Sequence, residues 1–176
     1  MMAAVRVSGF DFEGLVTTQR RPLEALARRL VWDAEEAKDL VQAAMVQAWQ
    51  RRDSLHDAAA APGWLRRIVV HRAMSHLRRR RLWQGLARVL LVEPEAVETT
   101  GDDVERSQHH RRLAVALEEL STKQRAAFSL RYLEGLSLDE VADAMGIDRG
   151  TVRVHVQRAV KALRLRGALP EREQEP

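Results

Sequence analysis

The sequence contains no cysteine, few aromatic residues and no long apolar run. The absence of cysteine excludes disulfide bonds and thiolate metal sites, so a folded structure must depend on its hydrophobic cores. Aromatic residues make up only 5% of the chain, but hydrophobic residues make up 45%, which is typical of a folded soluble protein. No run approaches the roughly 20 apolar residues of a membrane span, and the N-terminus has no secretory pattern. We therefore expect a cytoplasmic protein without membrane insertion.

Charge is strongly segregated along the chain. The formal net charge is only +4, although the sequence pI is about 10.2. Between residues 64 and 88 there are eight arginines and no acid, at positions 66, 67, 72, 78, 79, 80, 81 and 88. The stretch from Glu93 to Glu105 has the opposite character, with six acids and no base. A basic segment of this kind indicates a polyanionic partner such as nucleic acid.

Nearly all of the chain has the apolar periodicity of helices, and no stretch shows sustained strand-like alternation. The sequence therefore predicts an all-α protein. In the first half, a helix is predicted from Phe12, and Pro22 either introduces a kink in it or opens a second helix. A further helix is predicted from about 34 to 51. A loop from 53 to 63, which could hold a short helical turn at 58–61, leads to a helix that begins near Trp64.

Two capping boxes organise the second half. Ser121 with Gln124, and Ser137 with Glu140, have the spacing at which each side chain bonds the other's backbone N–H. The helix after Ser137 is amphipathic and should end at Gly146. Two short helices joined by a glycine-containing turn are typical of a helix-turn-helix.

The last predicted helix carries a one-sided basic surface. Asp148 is its expected N-cap, and the helix runs from about Arg149 to about Arg166 with six Lys or Arg residues and no acid. Its apolar arc holds Val152, Val156, Ala159, Val160 and Leu163. Since a major groove admits one helix, with cations flanking it on the phosphates, this pattern predicts DNA binding.

These elements divide the chain into two small helical domains. Residues 1–88 form the first domain, 89–110 an acidic linker that we expect to be extended or disordered, 111–170 the second domain, and 171–176 a tail. We expect neither a metal site nor a cofactor, because His71 and His76 are five residues apart and cysteine is absent. We find no phosphate loop or nucleophile–base arrangement, so the sequence does not predict an enzyme.

Both halves resemble a bacterial sigma factor of the extracytoplasmic-function (ECF, group IV) class. The resemblance rests on DAEEAKDLVQAAMVQAW, on PGWLRRIVVHRAMSHLRRRR and on the run from LEELSTKQRAAF to TVRVHVQRAVKALR. It implies a region 2-like domain and a region 4-like domain that together direct core RNA polymerase to promoter DNA. It further implies an anti-sigma factor as a partner, and we expect no obligate homo-oligomer.

The resemblance also assigns roles to residues of this chain. It implies core-polymerase contacts by Asp39, Leu40, Gln42, Val46 and Gln47. It implies contacts with the −10 element by Trp64, Arg66, Arg67, His71, Met74 and Arg78. For the −35 element it implies Arg149, Thr151, Arg153, Val154, His155, Gln157, Arg158 and Lys161. Among these, Arg153 could donate to a guanine or a phosphate, Gln157 could pair with adenine, and Val154 suits a thymine methyl.

Two other interpretations stay open on sequence alone. A free-standing helix-turn-helix regulator would bind duplex DNA without polymerase, but it leaves the acid-free arginine helix of the first half unexplained. A non-initiating sigma-like adaptor would bind polymerase without opening promoters. Ala43 and His71 depart from residues common in the family and are compatible with such an adaptor.

Overall fold

The computed structural model describes residues 11–55, 57–89 and 112–169, and these are helical apart from short turns. The helices are α1 (Phe12–Val31), α2 (Ala34–Gln50), α3 (Ala61–Val89), α4 (112–118), α5 (Thr122–Phe128), α6 (Leu138–Met145) and α7 (Arg149–Leu165). The prediction of an all-α fold is confirmed. The predicted linker beyond residue 89 and the C-terminal tail lie outside the described residues.

The first three helices form a bundle around an apolar core. Each amphipathic helix begins at an acidic N-cap where the sequence supplies one: the Asp11 carboxylate accepts from the N–H of Gly14, and that of Asp33 from the N–H of Glu36. Pro22 lies inside α1, which is a single helix, so the alternative of a second helix opening at Pro22 is wrong. The mutual burial of α1, α2 and α3 compensates for the backbone hydrogen bond that proline cannot donate.

The connection between α2 and α3 is shorter and more helical than the sequence suggested. Short 3-10 turns occupy Arg52–Ser54 and Ala58–Ala60, and α3 begins at Ala61 rather than near Trp64. Pro62 is tolerated there because the first turn of a helix has no intrahelical use for its missing N–H. Because α3 begins about one turn earlier than predicted, Trp64 lies within the helix and not at its end.

The second half is a helix-turn-helix unit with both predicted capping boxes. Ser121 with Gln124 and Ser137 with Glu140 each make the reciprocal pair of bonds. Gly146 ends α6 in the left-handed conformation at φ 65°, which glycine adopts without strain. A π-helical turn at Ser129–Leu133 continues α5, and no pattern in the sequence indicates it.

The two halves pack against each other. One apolar cluster runs from the α1–α3 bundle into α5, α6 and α7, and it includes Val70, Leu130, Val141 and Met145. Val70 lies on the polar arc of α3 in the sequence pattern, but it is completely buried. A second cluster packs α4 against α5 and α7. The fold thus places α6 of the helix-turn-helix directly on α3.

Candidate nucleic-acid interface

A basic groove of about 760 Å³ opens between α2 and α3. Four of the six candidates for −10 binding line it, namely Trp64, Arg67, His71 and Arg78. At about 100° per residue these positions fall on one side of α3, because they are spaced by three, four or seven residues. The structure thus brings these four side chains together along one wall.

The other two −10 candidates have different surroundings. Met74 is partly buried and packs against the apolar cluster that joins the two halves. Arg66 is partly buried too, and its positive charge contributes to lowering the pKa of Glu140 on α6, behind the hydrogen bonds from Ser137. Neither side chain lines the groove.

The groove also contains basic residues that the sequence analysis did not select. Arg51, Arg72 and Arg79 bring the arginines in its lining to five, and the lining contains no Asp or Glu. Arg79 and Arg72 could have been found from the helical spacing, since they continue the stripe of Arg78 and His71. Arg51 could not, because it reaches the groove from the end of α2. Five arginines without a counter-charge form a strong anion-binding surface.

One hydrogen bond joins the two walls of the groove. Arg72 Nε donates to Gln47 Oε1 at 2.8 Å. Gln47 was predicted to contact polymerase, but its side-chain oxygen is engaged by the arginine of the opposite wall. The bond links α2 to α3 at the basic lining of the groove.

His71 lies where the groove meets the helix-turn-helix. A β-carbon built on Gly146 would lie 3.2 Å from His71 Nε2 and 3.1 Å from a terminal nitrogen of Arg67. Burial and then the positive charge of Arg67 lower the pKa of His71, while a hydrogen bond to the backbone of Met145 acts in the opposite direction. Neutral imidazole is therefore favoured at this contact.

Part of the arginine run of α3 contacts the other half of the chain. Arg80 forms an ion pair with Glu118 at 3.0 Å, and Arg81 donates to the carbonyl oxygen of Leu120 at 2.7 Å. Arg78 and Arg79, in contrast, line the groove. The run that looks uniform in the sequence is thus divided between an internal junction and an open anion-binding surface.

Helix α7 presents the predicted recognition surface. Asp148 caps it by accepting from the N–H of Thr151 at 2.8 Å, and the Thr151 hydroxyl also donates to this carboxylate. These bonds from Thr151 lower the pKa of Asp148. The exposed candidates on this helix are Arg149, Arg153, Val154, Gln157, Arg158 and Lys161, whereas Thr151 and His155 are partly buried.

Two members of this recognition surface have local constraints. Arg149 lies 3.6 Å from the Asp139 carboxylate of α6. Burial, followed by the charges of Lys123 and Arg158, lowers the pKa of His155. Val154 is an exposed apolar side chain among cations. The surface therefore offers charged donors for phosphates beside one methyl-bearing side chain for base edges.

The outer face of α2 carries the candidates for polymerase binding. Asp39, Gln42 and Val46 are exposed on it. Leu40 is buried in the bundle core, so its role is packing rather than direct contact. Trp49, which was not among the predicted contacts, is an exposed side chain on the same face; its ring contacts the Phe12 ring edge-on and the Arg52 guanidinium. Its spacing of three from Val46 was the available signal.

Neither a membrane span nor a metal cluster emerges from the residues in 11–55, 57–89 and 112–169. No helix there is long and apolar enough to cross a bilayer. No group of three His, Asp or Glu side chains is close enough there to hold an ion.

The chain is similar to known proteins over both halves. The family described as "Sigma-70 region 2" matches residues 15–82, and "Sigma-70, region 4" matches residues 110–163. An RNA polymerase sigma-E factor of Streptomyces avermitilis is 35% identical over 156 residues, covering 88% of this chain and 83% of that protein. The ECF RNA polymerase sigma factor SigL of Mycobacterium tuberculosis is 31% identical over 140 residues, covering 79% and 78%.

A solved structure has the same arrangement of helices. The sigma factor RpoE of Bartonella quintana, crystallised with the anti-sigma factor NepR, superimposes with a TM-score of 0.67 at 26% identity, covering 92% of this chain and 99% of that one. With an arginine-lined groove in one half, a basic recognition helix in the other, and relatives that extend over both, this chain belongs to the ECF group of the sigma-70 family of RNA polymerase sigma factors.

Proposed function

We propose that this chain directs core RNA polymerase to specific promoters and initiates transcription in the cytoplasm. The observation that carries the proposal is that the region 2 and region 4 matches fall on the two halves that expose basic, acid-poor surfaces. The work is done by binding energy, with no bond-making step in the chain itself. Residues 1–88 and 111–170 act as its two functional domains.

Polymerase binds the outer face of α2 in this proposal. Asp39, Gln42 and Val46 lie there, and Trp49 extends the same face with a large apolar surface. An exposed aromatic residue beside polar neighbours is typical of an interface centre. Gln47 contributes indirectly, because its bond from Arg72 orients the groove wall.

The groove between α2 and α3 holds the −10 element. Its five arginines neutralise phosphates, and Trp64 offers a ring on which an unstacked base can lie. Helix α7 docks in the major groove at the −35 element, with Arg153, Val154 and Gln157 nearest the base edges.

The packed arrangement of the two halves opposes full promoter engagement. Arg67 and His71 lie against the turn at Gly146, and Arg80 with Arg81 contacts the end of α4. For DNA to contact Arg67 and His71 fully, α6 and the turn at Gly146 must move away from α3. The RpoE relative was crystallised with an anti-sigma factor, and we propose that a partner of this kind controls the present chain as well.

Run-off transcription with purified chain and sigma-free core polymerase tests the function. Fragments of the source genome serve as templates, beside duplex binding by the chain alone. We expect discrete transcripts that require both proteins, with weak unaided binding. Tight unaided binding without transcripts would identify a free-standing regulator, and polymerase binding without transcripts would identify an adaptor.

Two sets of variants test the assigned surfaces. Asp39→Arg combined with Gln42→Ala should weaken polymerase affinity, with Arg20→Ala on an exposed part of α1 as the control. Arg153→Ala and Gln157→Ala should each change preference at −35 bases while leaving polymerase affinity intact. Unchanged affinity in the first set, or unchanged preference in the second, would remove that assignment.

A further inference from the structure

Two large apolar side chains are exposed at the far end of the α3 groove wall. Leu82 is 68% and Trp83 70% solvent-exposed. Neither belongs to the surfaces assigned above. An exposed tryptophan next to an exposed leucine is unusual enough in a soluble domain to indicate a binding surface.

The helical register places both side chains on the groove side of α3. Leu82 follows Arg78 by four residues, and Trp83 follows Arg79 by four residues, so each lies one turn beyond an arginine of the groove lining. On a wheel of 100° per residue, the α3 residues of the lining and these two fall within about 80° on either side of Ser75. The arginine stripe therefore continues into an apolar end.

The junction with the helix-turn-helix lies on another side of α3. Arg81, one residue before Leu82, is turned towards Leu120, and Arg80 towards Glu118. The groove side stays open while the two halves are packed together. Leu82 and Trp83 are accessible in the same arrangement that covers part of Arg67 and His71.

The charge of the groove selects the occupant of this surface. Five arginines and no acid in its lining favour a polyanion and oppose a basic protein segment. Trp64 and Trp83 are separated by 19 residues along α3, or about 28 Å at 1.5 Å per residue. Arginines between two indole rings form the combination that binds single-stranded nucleic acid, in which cations follow the backbone and rings stack on bases.

We propose that Trp83, supported by Leu82, is a base-stacking platform that extends the DNA groove of α3 and lengthens the single strand that the chain holds. This inference rests on the proposed function, because it assumes that the groove takes the opened promoter strand. It adds a contact site at the end of α3 that the −10 candidates do not include. Trp83 acts on any base, since every base has a π face, so it contributes affinity rather than sequence preference.

Fluorescence anisotropy on the full chain tests the platform. Binding of labelled single strands of 4 and 16 nucleotides is measured for the native chain, Trp83→Ala and Trp83→Phe, because the short strand cannot span both rings at roughly 3.4 Å per stacked nucleotide. We expect Trp83→Ala to weaken binding of the longer strand about tenfold, the short strand much less, and Trp83→Phe to recover most of the loss because a ring is restored. Leu165→Ala is the control, since Leu165 is an equally exposed leucine, 78% accessible, at the end of α7.

Three outcomes would overturn the inference. They are an unchanged affinity of Trp83→Ala for the longer strand, an equal loss with a closed duplex, or a loss of polymerase affinity with DNA binding intact. The last would assign the surface to a protein partner. Run-off transcription by the native chain is measured in parallel. If the native chain gives transcripts and Trp83→Ala binds the longer strand as the native chain does, the platform alone is rejected. If the native chain gives no transcripts, the proposed function is rejected.

Discussion

Replacing Arg125 with methionine should stabilise this protein. Arg125 lies in α5 at the junction between the two halves and is only 5% exposed. Its Nε and one terminal nitrogen are buried without a hydrogen-bond partner in the part of the chain that the structure describes. Burying a guanidinium without full hydrogen bonding is unfavourable, because the lost hydration is not replaced.

The pKa of Arg125 gives the size of this penalty. Burial lowers the pKa by more than two units from the ordinary value of a guanidinium, to about 10, with Glu118 opposing the decrease and Arg80 adding to it. At about 1.4 kcal/mol per pKa unit, this difference corresponds to about 3 kcal/mol. The group stays charged at pH 7, so the folded state bears the whole penalty there. Because the folded pKa is the lower one, stability should recover only as the pH rises above about 10.

Thermal and urea unfolding measure the effect of Arg125→Met. Methionine fills a similar volume without charge, and we expect a gain of about 1–3 kcal/mol, or an increase in Tm of about 2–10 °C for a chain of this size. Arg125→Lys retains the charge and should give no gain. Arg20→Met, on an exposed helix surface, controls for the general effect of removing a cation. A loss of stability in Arg125→Met would show that the carboxylates of Glu118 and Glu36 outweigh the desolvation, and would refute the reasoning.

Three further predictions concern the junction and the helix caps. Gly146→Ala should destabilise the fold more than Gly135→Ala. Both glycines have a left-handed φ, which costs about 1–2 kcal/mol for alanine. Only at Gly146 does the added β-carbon also contact the side chains of Arg67 and His71. Urea midpoints of the two variants give the difference, and equal midpoints would contradict the packed junction. The free energy of unfolding should decrease as the pH falls below about 6.5, the ordinary pKa of histidine, because the pKa of His71 is lowered in the folded state. This decrease, measured between pH 7.5 and 5.5, should be smaller in His71→Gln. An identical decrease in the variant would contradict the role of His71. Ser137→Ala should cost about 1 kcal/mol in the free energy of unfolding by removing the capping box, whereas Ser137→Asp should retain most of the stability; a neutral Ser137→Ala would show that the cap is dispensable.

Local signals in the sequence were sufficient for those helix ends that capping residues or a glycine mark. Capping boxes at Ser121 and Ser137, the N-cap Asp148 and the stop at Gly146 are each defined by side chains within four residues of the helix end, and all are present in the structure. The apolar arc of α7 followed in the same way from its periodicity, with Val160 at its edge left partly exposed. Such features depend on neighbours along the chain and hence can be found by inspection of the sequence.

Features that depend on distant residues could not be found in this way. Val70 lies on a polar arc of α3, and nothing near it in sequence indicates that α6 covers it. The π-helical turn at Ser129–Leu133 likewise appears only when α5 is packed between its neighbours.

The sequence by itself determined the all-α class, the family and the two basic surfaces, because helix periodicity, capping and charge are written in short segments. Tertiary structure alone decided how the arginines of α3 are divided. Arg78 and Arg79 line an open groove, whereas Arg80 and Arg81 contact the other half. The physical reason is that successive residues of a helix point about 100° apart, so one charged run reaches several surroundings. The packing of the other half on α3 determines which of these arginines line the open groove.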